Sequence, residues 1–440
     1  VTGSPSDGDP VGTLPDAISA NNATSAGAAR PLYRTAGPNS LPYLEYDGAA
    51  MYSISSAHSA VTLPVRVFVV FRPHIHIQGN TIFDGATANR CRFLQYPRDY
   101  AVGGFDKGDQ QYSLYNGTAF VCTNFGGALS CEGGQFGRAT CLFNGASSSL
   151  SMNGNTAVTG SPGAQTWTGL CVAAAGNISN WAKIDFVRLL VYDSTIVSTA
   201  AVESYLDTTY ALSVPNLLMA DGDSLTAGNG ASDYLTHAIV TGSYPTQLVP
   251  LLGSTWALIN RGVSGQTVVQ MESNAATKID VNFSTLSTNK ALVAWGGTND
   301  LAIGGSSANQ AYADYKTYCS NRVAAGWKVI SATLLPRSPT GISASFEADR
   351  QTVNTKIRSG YRSFSHVLAD IAADNRVGDA LDQNDTTYYN GDKIHLNDTG
   401  NAIMATLVNS KVSTALSTTG LIPEGTGGSG YILEKKSWIF

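Results

Sequence analysis

The spacing of apolar runs changes near Asn216, and that change constrains the fold more than any other feature of the chain. Before it, short apolar or alternating runs at residues 65–71, 112–115, 119–122, 149–152 and 184–192 are separated by clusters of Gly, Asn, Ser and Asp. Runs of that length between turn formers predict antiparallel strands, and many in series predict an all-β sandwich or jelly roll. Asn116-Gly117 and Asn153-Gly154 read as tight turns, because both residue types tolerate positive φ. A helix is predicted over 199–210, ended by Ser213-Val214-Pro215, where the proline discourages continuation. From Asn216 onward, buried-strand runs at 217–220, 256–259, 291–295, 329–335 and 367–371 alternate with helical stretches at 244–252, 308–325, 345–361 and 400–416. Such alternation implies a three-layer α/β unit, with a five-stranded parallel sheet flanked by helices. Chemistry in such sheets gathers beyond the C-terminal ends of the strands.

A chain of 440 residues exceeds one ordinary core, so the division reads as two domains, 1–213 and 214–419, followed by a Gly-rich tail, 420–440. The tail ends in Tyr431-Ile-Leu and Trp438-Ile-Phe440, which either dock on a domain or meet a partner. Only 13% of residues are charged, about half the usual share, a composition that suits exported proteins and those touching neutral polymers. The formal net charge is −5 and no Lys/Arg cluster is present, which argues against nucleic acid. No apolar run approaches the roughly 20 residues of a membrane span. The sequence from Val1 shows neither a charged n-region nor an apolar h-region, so secretion is not read from it. Six cysteines match no zinc spacing and read mostly as buried thiols, with one or two bridges left open. His74 and His76 alternate along one strand, without an acidic or Cys neighbour in sequence, and read as surface residues.

Four segments carry chemistry. Asp221-Gly222-Asp223-Ser224-Leu225 follows the first strand of the second half; a serine on such a turn is exposed beside free helix N–H groups, as a nucleophile requires, though an Asp/Ser helix cap reads the same. Asn260-Arg261-Gly262-Val263-Ser264-Gly265 follows the second, and a glycine there lets its N–H approach a substrate. Gly296-Gly297-Thr298-Asn299-Asp300 follows the third; the Asn amide can donate where negative charge develops, or the pair can cap a helix. Asp392-Lys393-Ile394-His395 lies before the last helix, and offers an imidazole with a carboxylate to orient it.

Taken together and in this order, the four segments resemble the SGNH (GDSL-type) hydrolase family, from roughly Asn216 to Leu416. The resemblance implies a serine esterase in which Ser224 attacks the ester carbonyl, His395 moves the proton and Asp392 orients His395. It implies an oxyanion hole made by the N–H groups of Ser224 and Gly265 (or Gly262) and the Asn299 side chain, with no metal or organic cofactor. Asp300 and Asp398 are the rival carboxylates; Asp300 is assigned instead to capping the helix after its strand.

The first half is similar to concanavalin A-like (laminin-G-like) jelly-roll domains, on Asp9-Pro10-Val11, Tyr46-Asp47-Gly48, 68–72, Ile82-Phe83-Asp84-Gly85, 150–154 and 187–192 leading into 203–210. Such domains bind carbohydrate or serve as spacers. The pairing implies an esterase removing O-acetyl groups from an acetylated polysaccharide, secreted or carried on a phage tail. A lipase or general carboxylesterase is the alternative enzyme. A glycan-binding, adhesion or phage receptor-binding protein with secondary esterase activity is the alternative of another class. The glycan, the acetyl position and the oligomeric state are not legible in the sequence.

Overall fold

The computed structural model describes residues 5–18, 21–56, 60–74, 80–87, 89–95, 112–122, 136–154, 157–193, 198–212, 216–234, 240–253, 255–280, 283, 287–338 and 342–422. Its first half contains β1 (Thr13–Leu14), β2 (Ala23–Thr24), β3 (Leu32–Arg34), β4 (Tyr43–Asp47), β5 (Ser53–Ser55), β6 (Val65–Pro73), β7 (Thr81–Asp84) and β8 (Arg92–Gln95). Then come β9 (Tyr112–Tyr115), β10 (Phe120–Cys122), β11 (Gly137–Phe143), β12 (Ser148–Met152), β13 (Val158–Gly160), β14 (Leu170–Val172) and β15 (Lys183–Asp193). They form two antiparallel sheets, in the orders β1-β2-β5-β14-β7-β8-β9-β10 and β13-β12-β11-β6-β15-β4-β3. Aromatic side chains interlock between the sheets, with Phe71 edge-on to Phe93 and Tyr112, and Phe83 edge-on to Phe143. This all-β sandwich is consistent with a jelly roll.

Strand β6 reads Val-Arg-Val-Phe-Val-Val-Phe rather than alternating, because both of its faces are covered. Val65, Val67, Val69 and Phe71 point into the sandwich, whereas Phe68 and Val70 lie under helix α1 (Thr199–Thr209), against Val202 and Leu206. Arg138 secures the helix through Glu203 and Asp207 at 2.7 Å each.

One local expectation is corrected, and two others gain detail. Asn153 and Gly154 both take positive φ (48° and 76°), but at the other turn only Gly117 does. Asn116 is buried instead: its side chain accepts from the Cys91 N–H and donates to the Gln165 carbonyl, each at 3.0 Å, and that demand fixes its backbone. His74 is exposed, as expected, and the fold adds a partner distant in sequence: Asp185 lies 2.8 Å from its Nε2 and also accepts from Arg72. His76 falls outside the described residues. Cys91, Cys141, Cys171 and Cys319 are buried free thiols; Cys131 and the side chain of Cys122 are not described.

The second half begins with β16 (Asn216–Gly222) and contains β17 (Trp256–Gly262), β18 (Lys290–Trp295), β19 (Lys328–Ala332) and β20 (Val367–Ala369), parallel and in the order β17-β16-β18-β19-β20. Successive residues of β16 face opposite ways: Leu217 and Met219 join one core, Leu218 and Ala220 the other. The first core takes Met271 from α4 (Val268–Lys278), Tyr315 from α6 (Ala308–Ala324) and Val353 from α7 (Phe346–Gly360). The second takes Leu248 from α3 (Tyr244–Leu252) and Met404 and Val408 from α8 (Asp398–Ser417). Each large apolar side chain so buried contributes roughly 1.5–3 kcal/mol relative to exposure. This three-layer arrangement, with a five-stranded parallel sheet between helices, matches the SGNH fold.

Two strands end earlier than their apolar runs. The run from 329 leaves the sheet after Ala332 because Leu334 is bonded from outside it: its N–H donates to the Asn354 side chain at 2.8 Å, and Arg350 and Asn354 donate to its carbonyl. The run from 367 stops after Ala369, where Asp370 accepts from Thr333 and Arg358. Beyond α8, the Thr418 carbonyl accepts from Lys328 Nζ and the Ile422 N–H donates to Arg362. The apolar residues at 431–433 and 438–440 lie outside the described residues.

Candidate active site

Strand β16 has β17 on one side and β18 on the other, so the chain crosses over in opposite directions from it. At such a switch point the strand ends diverge and open a crevice. Ser224 sits on its lip. Gly222 permits the turn, since a Cβ there would overlap the Trp295 carbonyl. Asp223 then caps the short helix α2 (Ser224–Ala227), its carboxylate accepting from the Leu225 N–H at 2.9 Å. The helix-cap and nucleophile readings of this segment are thus compatible: Asp223 caps, and the half-buried Ser224 presents its hydroxyl.

From the other side of the sequence, the loop before α8 brings His395 to it. His395 Nε2 lies 2.8 Å from Ser224 Oγ, and His395 Nδ1 lies 2.6 Å from Asp392 Oδ2. The other Asp392 oxygen accepts the N–H groups of Ile394 and His395, at 2.9 and 3.0 Å. Burial would raise the Asp392 carboxyl, but the His395 ring and these N–H groups outweigh it and hold the group at about 2. It is therefore a fixed anion at neutral pH. Asp300 and Asp398 do not contact His395. Asp398 accepts from the Ser232 N–H and hydroxyl, at 2.8 and 2.7 Å. Asp300 accepts from the Val268 N–H at 3.0 Å, so it caps α4 and not, as expected, the helix after its own strand, α5 (Thr298–Ala302).

The two candidate glycines separate on physical grounds. Gly262 already donates its N–H to Asn260 Oδ1 at 2.9 Å, and a Cβ on it would overlap the backbone of α2. Gly265 is exposed, has φ +79° and has open space where a Cβ would stand. Asn299 is buried and one of its amide hydrogens reaches the Gln266 carbonyl at 3.0 Å, which leaves the second to donate elsewhere. That bond joins the Asn299 segment to the residue after Gly265, and Gln266 Nε2 in turn reaches the Gly222 carbonyl at 3.4 Å. The three strand exits are thereby tied into one edge.

Two supporting residues escape sequence reading. Gly230 (φ +96°) lies against His395, where a Cβ would stand 2.6 Å from the histidine Cβ. Asn390 donates to the Gly230 carbonyl at 2.9 Å and so latches the histidine loop to the nucleophile segment. Asn-Gly pairings across 160 residues have no local signal. Beneath the site, Asp221 accepts from Tyr318, and burial pushes its carboxyl up to about 7. Burial likewise pushes Asp223 up to about 6, with its N–H bond to Leu225 opposing. Among the described residues no group of three or more His, Cys, Asp or Glu is placed to hold a metal ion, and no helix is long and apolar enough to cross a membrane.

A hydroxyl with a base at 2.8 Å, a carboxylate fixing that base, and N–H donors at a helix start can carry out acyl transfer. Residues 220–403 match the model of the GDSL-like Lipase/Acylhydrolase family. No curated protein matches the chain. Among solved structures, a carbohydrate acetylesterase from Sinorhizobium meliloti is 13% identical, covering 45% of this chain and 98% of its own, with a TM-score of 0.34. A lipase/acylhydrolase from Enterococcus faecalis is 15% identical over 46% of this chain and 98% of its own (TM-score 0.34). A GDSL-like lipase from Bacteroides thetaiotaomicron is 17% identical over 50% and 100% (TM-score 0.35).

Proposed function

We propose, from the match of residues 220–403 to the GDSL-like lipase/acylhydrolase family, that the protein is a serine esterase removing O-acetyl groups from a polysaccharide. The observation that carries the mechanism is the relay Ser224 Oγ to His395 Nε2 at 2.8 Å and His395 Nδ1 to Asp392 at 2.6 Å. His395 takes the Ser224 proton as Oγ adds to the ester carbonyl, and Asp392 stabilises the imidazolium so formed. The oxyanion is held by the N–H groups of Ser224 and Gly265 and by the free amide hydrogen of Asn299. Collapse expels the alcohol, protonated by His395, and leaves an acyl-serine. Water, deprotonated by His395, then releases the acid and restores Ser224.

The polysaccharide assignment is supported by the β-sandwich encoded beside the hydrolase unit, read as a concanavalin A-like glycan-binding module in a domain 1–213. It is also supported by the polar side chains around the relay: Gln266, Asn299 and Asn390. Such an enzyme would act outside the cell or on a phage tail. A lipase or general carboxylesterase is the second reading, favoured by exposed Val269 and Ile303 on or beside the helices that start from the Gly265 and Asn299 segments.

The test is acetate release from O-acetylated polysaccharides, set against a p-nitrophenyl ester series of rising acyl length, for wild type and Ser224→Ala. Expected are acetate release, a preference for the two-carbon acyl group, and loss of both activities on the order of 10⁴-fold or more in Ser224→Ala, since the relay acts as a unit. Preference for long acyl chains would favour the lipase reading. Activity that survives Ser224→Ala would overturn the mechanism, and absence of any esterase activity would favour the binding-protein class.

A further inference from the structure

The exit of β19 adds a fourth segment to the edge that bears the relay. Residues 333–338 leave the sheet there and reach the histidine loop, where the Ser338 N–H donates to the Lys393 carbonyl at 2.7 Å. That bond places Arg337 one residue from a contact with the neighbour of Asp392. Arg337 is half-buried, and its Nε is enclosed without a hydrogen-bond partner among the described residues. Its charge is felt at both Asp223 and Asp392. Neither carboxylate is bonded to it: Asp223 caps α2, and Asp392 is occupied by His395 and Ile394.

A guanidinium partly withdrawn from water is ordinarily paired, because it gives up hydration that an acceptor would replace. Here no carboxylate among the described residues closes an ion pair with it. The guanidinium thus lies near the segments that carry Asp223 and Asp392, and makes no hydrogen bond among the described residues. Its planar geometry fits one acceptor class best, a carboxylate bound by two parallel N–H bonds. On a glycan, that group is the carboxylate of an acidic sugar.

We propose that Arg337 is a specificity-determining residue that binds a sugar carboxylate close to the scissile ester, so that the preferred substrate is an acetylated acidic polysaccharide. This rests on the polysaccharide-esterase reading, and its test is built to fail separately. Galacturonate and galactose are compared as competitive inhibitors of p-nitrophenyl acetate hydrolysis by the full chain, in wild type, Arg337→Gln and Arg337→Lys. The expected result is inhibition at least tenfold stronger by galacturonate than by galactose in wild type. That preference should vanish in Arg337→Gln and be partly kept in Arg337→Lys, which retains charge without the fork. Acetate release from an O-acetylated glycuronan should likewise fall more in Arg337→Gln, through KM, than release from neutral acetylated xylan.

Equal inhibition by the two sugars in wild type, or a preference that survives in Arg337→Gln, overturns the proposal. So does a fall in kcat that is the same for every ester and is accompanied by a shifted pH profile, because Arg337 would then act through Asp392 alone. Discrimination between the sugars without deacetylation of either polymer supports Arg337 as a carboxylate site and sinks the polysaccharide reading only.

Discussion

Asp223 holds a position where two demands meet: it caps the nucleophile helix and it is fully enclosed. Its folded pKa of about 6 stands above the roughly 3.9 of an unfolded Asp, so between those values the native state binds more protons than the unfolded chain. Stability contributed by this group is therefore present at low pH and is lost as pH rises through about 6. Asparagine caps about as well as aspartate but carries no charge. Denaturant midpoints measured at pH 4.5 and 7 should fall further in wild type than in Asp223→Asn, and equal slopes would refute the assignment. Which carboxylate serves His395 was legible from the spacing Asp392 to His395, because one tight loop can carry both. The choice between Gly262 and Gly265 was not, since it depends on Asn260 claiming one N–H and on α2 packing against one Cα.

At the scale of elements, the sequence reading recovers the five parallel strands and the helices α3, α6, α7 and α8, of which α6, α7 and α8 are the longest in this half. It misses α4, whose first residues, Val268-Val269, are β-branched and favour a strand locally. The available signal was Thr267-x-x-Gln270. In the structure the Thr267 side chain accepts from the Gln270 N–H, and Gln270 returns a bond to the Thr267 N–H. Asp300 adds an acceptor for the Val268 N–H from another strand exit, which no local pattern announces. Because α4 starts directly after Gly265-Gln266, its cap also positions that part of the crevice. Thr267→Ala should cost about 1 kcal/mol of stability. Asp300→Ala should cost about 1–3 kcal/mol by leaving a buried N–H unsatisfied, and should also lower kcat/KM. Urea titration with parallel ester kinetics would check both; an Asp300→Ala enzyme with unchanged kinetics would remove the positioning role.

For the molecule as a whole, the hydrophobic cores divide as the sequence does. Among the described residues, the sandwich core and the cluster under α1 draw only on residues up to Leu212, and the cores around the parallel sheet only on residues from Leu217. We therefore expect residues 214–422, expressed alone, to melt cooperatively and to hydrolyse p-nitrophenyl acetate at the rate of the full chain. Release of acetate from polymer should fall in that fragment if the sandwich holds the glycan. A fragment that is unfolded would show that the two halves are one cooperative unit. The change from strand-only to strand-helix spacing near Asn216 was legible because the two periods differ; the role of the sandwich was not, because the aromatic residues that dominate its strands are those of its core.

The six-residue stretch from Asn390 to His395 has a consequence for how the enzyme could be switched. Base, orienting acid and latch travel on one short loop, with Lys393 at φ +59° bending it and Asn390 gripping Gly230. The imidazole and its carboxylate are bonded within that loop, so they stay mutually aligned even if it lifts. The Ser338 bond to Lys393 and the buried Tyr389 and Leu396 also hold this loop, so loss of the latch would loosen the docking of an intact acid–base pair against an intact serine. Competence in such an enzyme is a matter of docking, closer to a key leaving a lock than to a lock being broken, and it is recoverable whenever the loop returns.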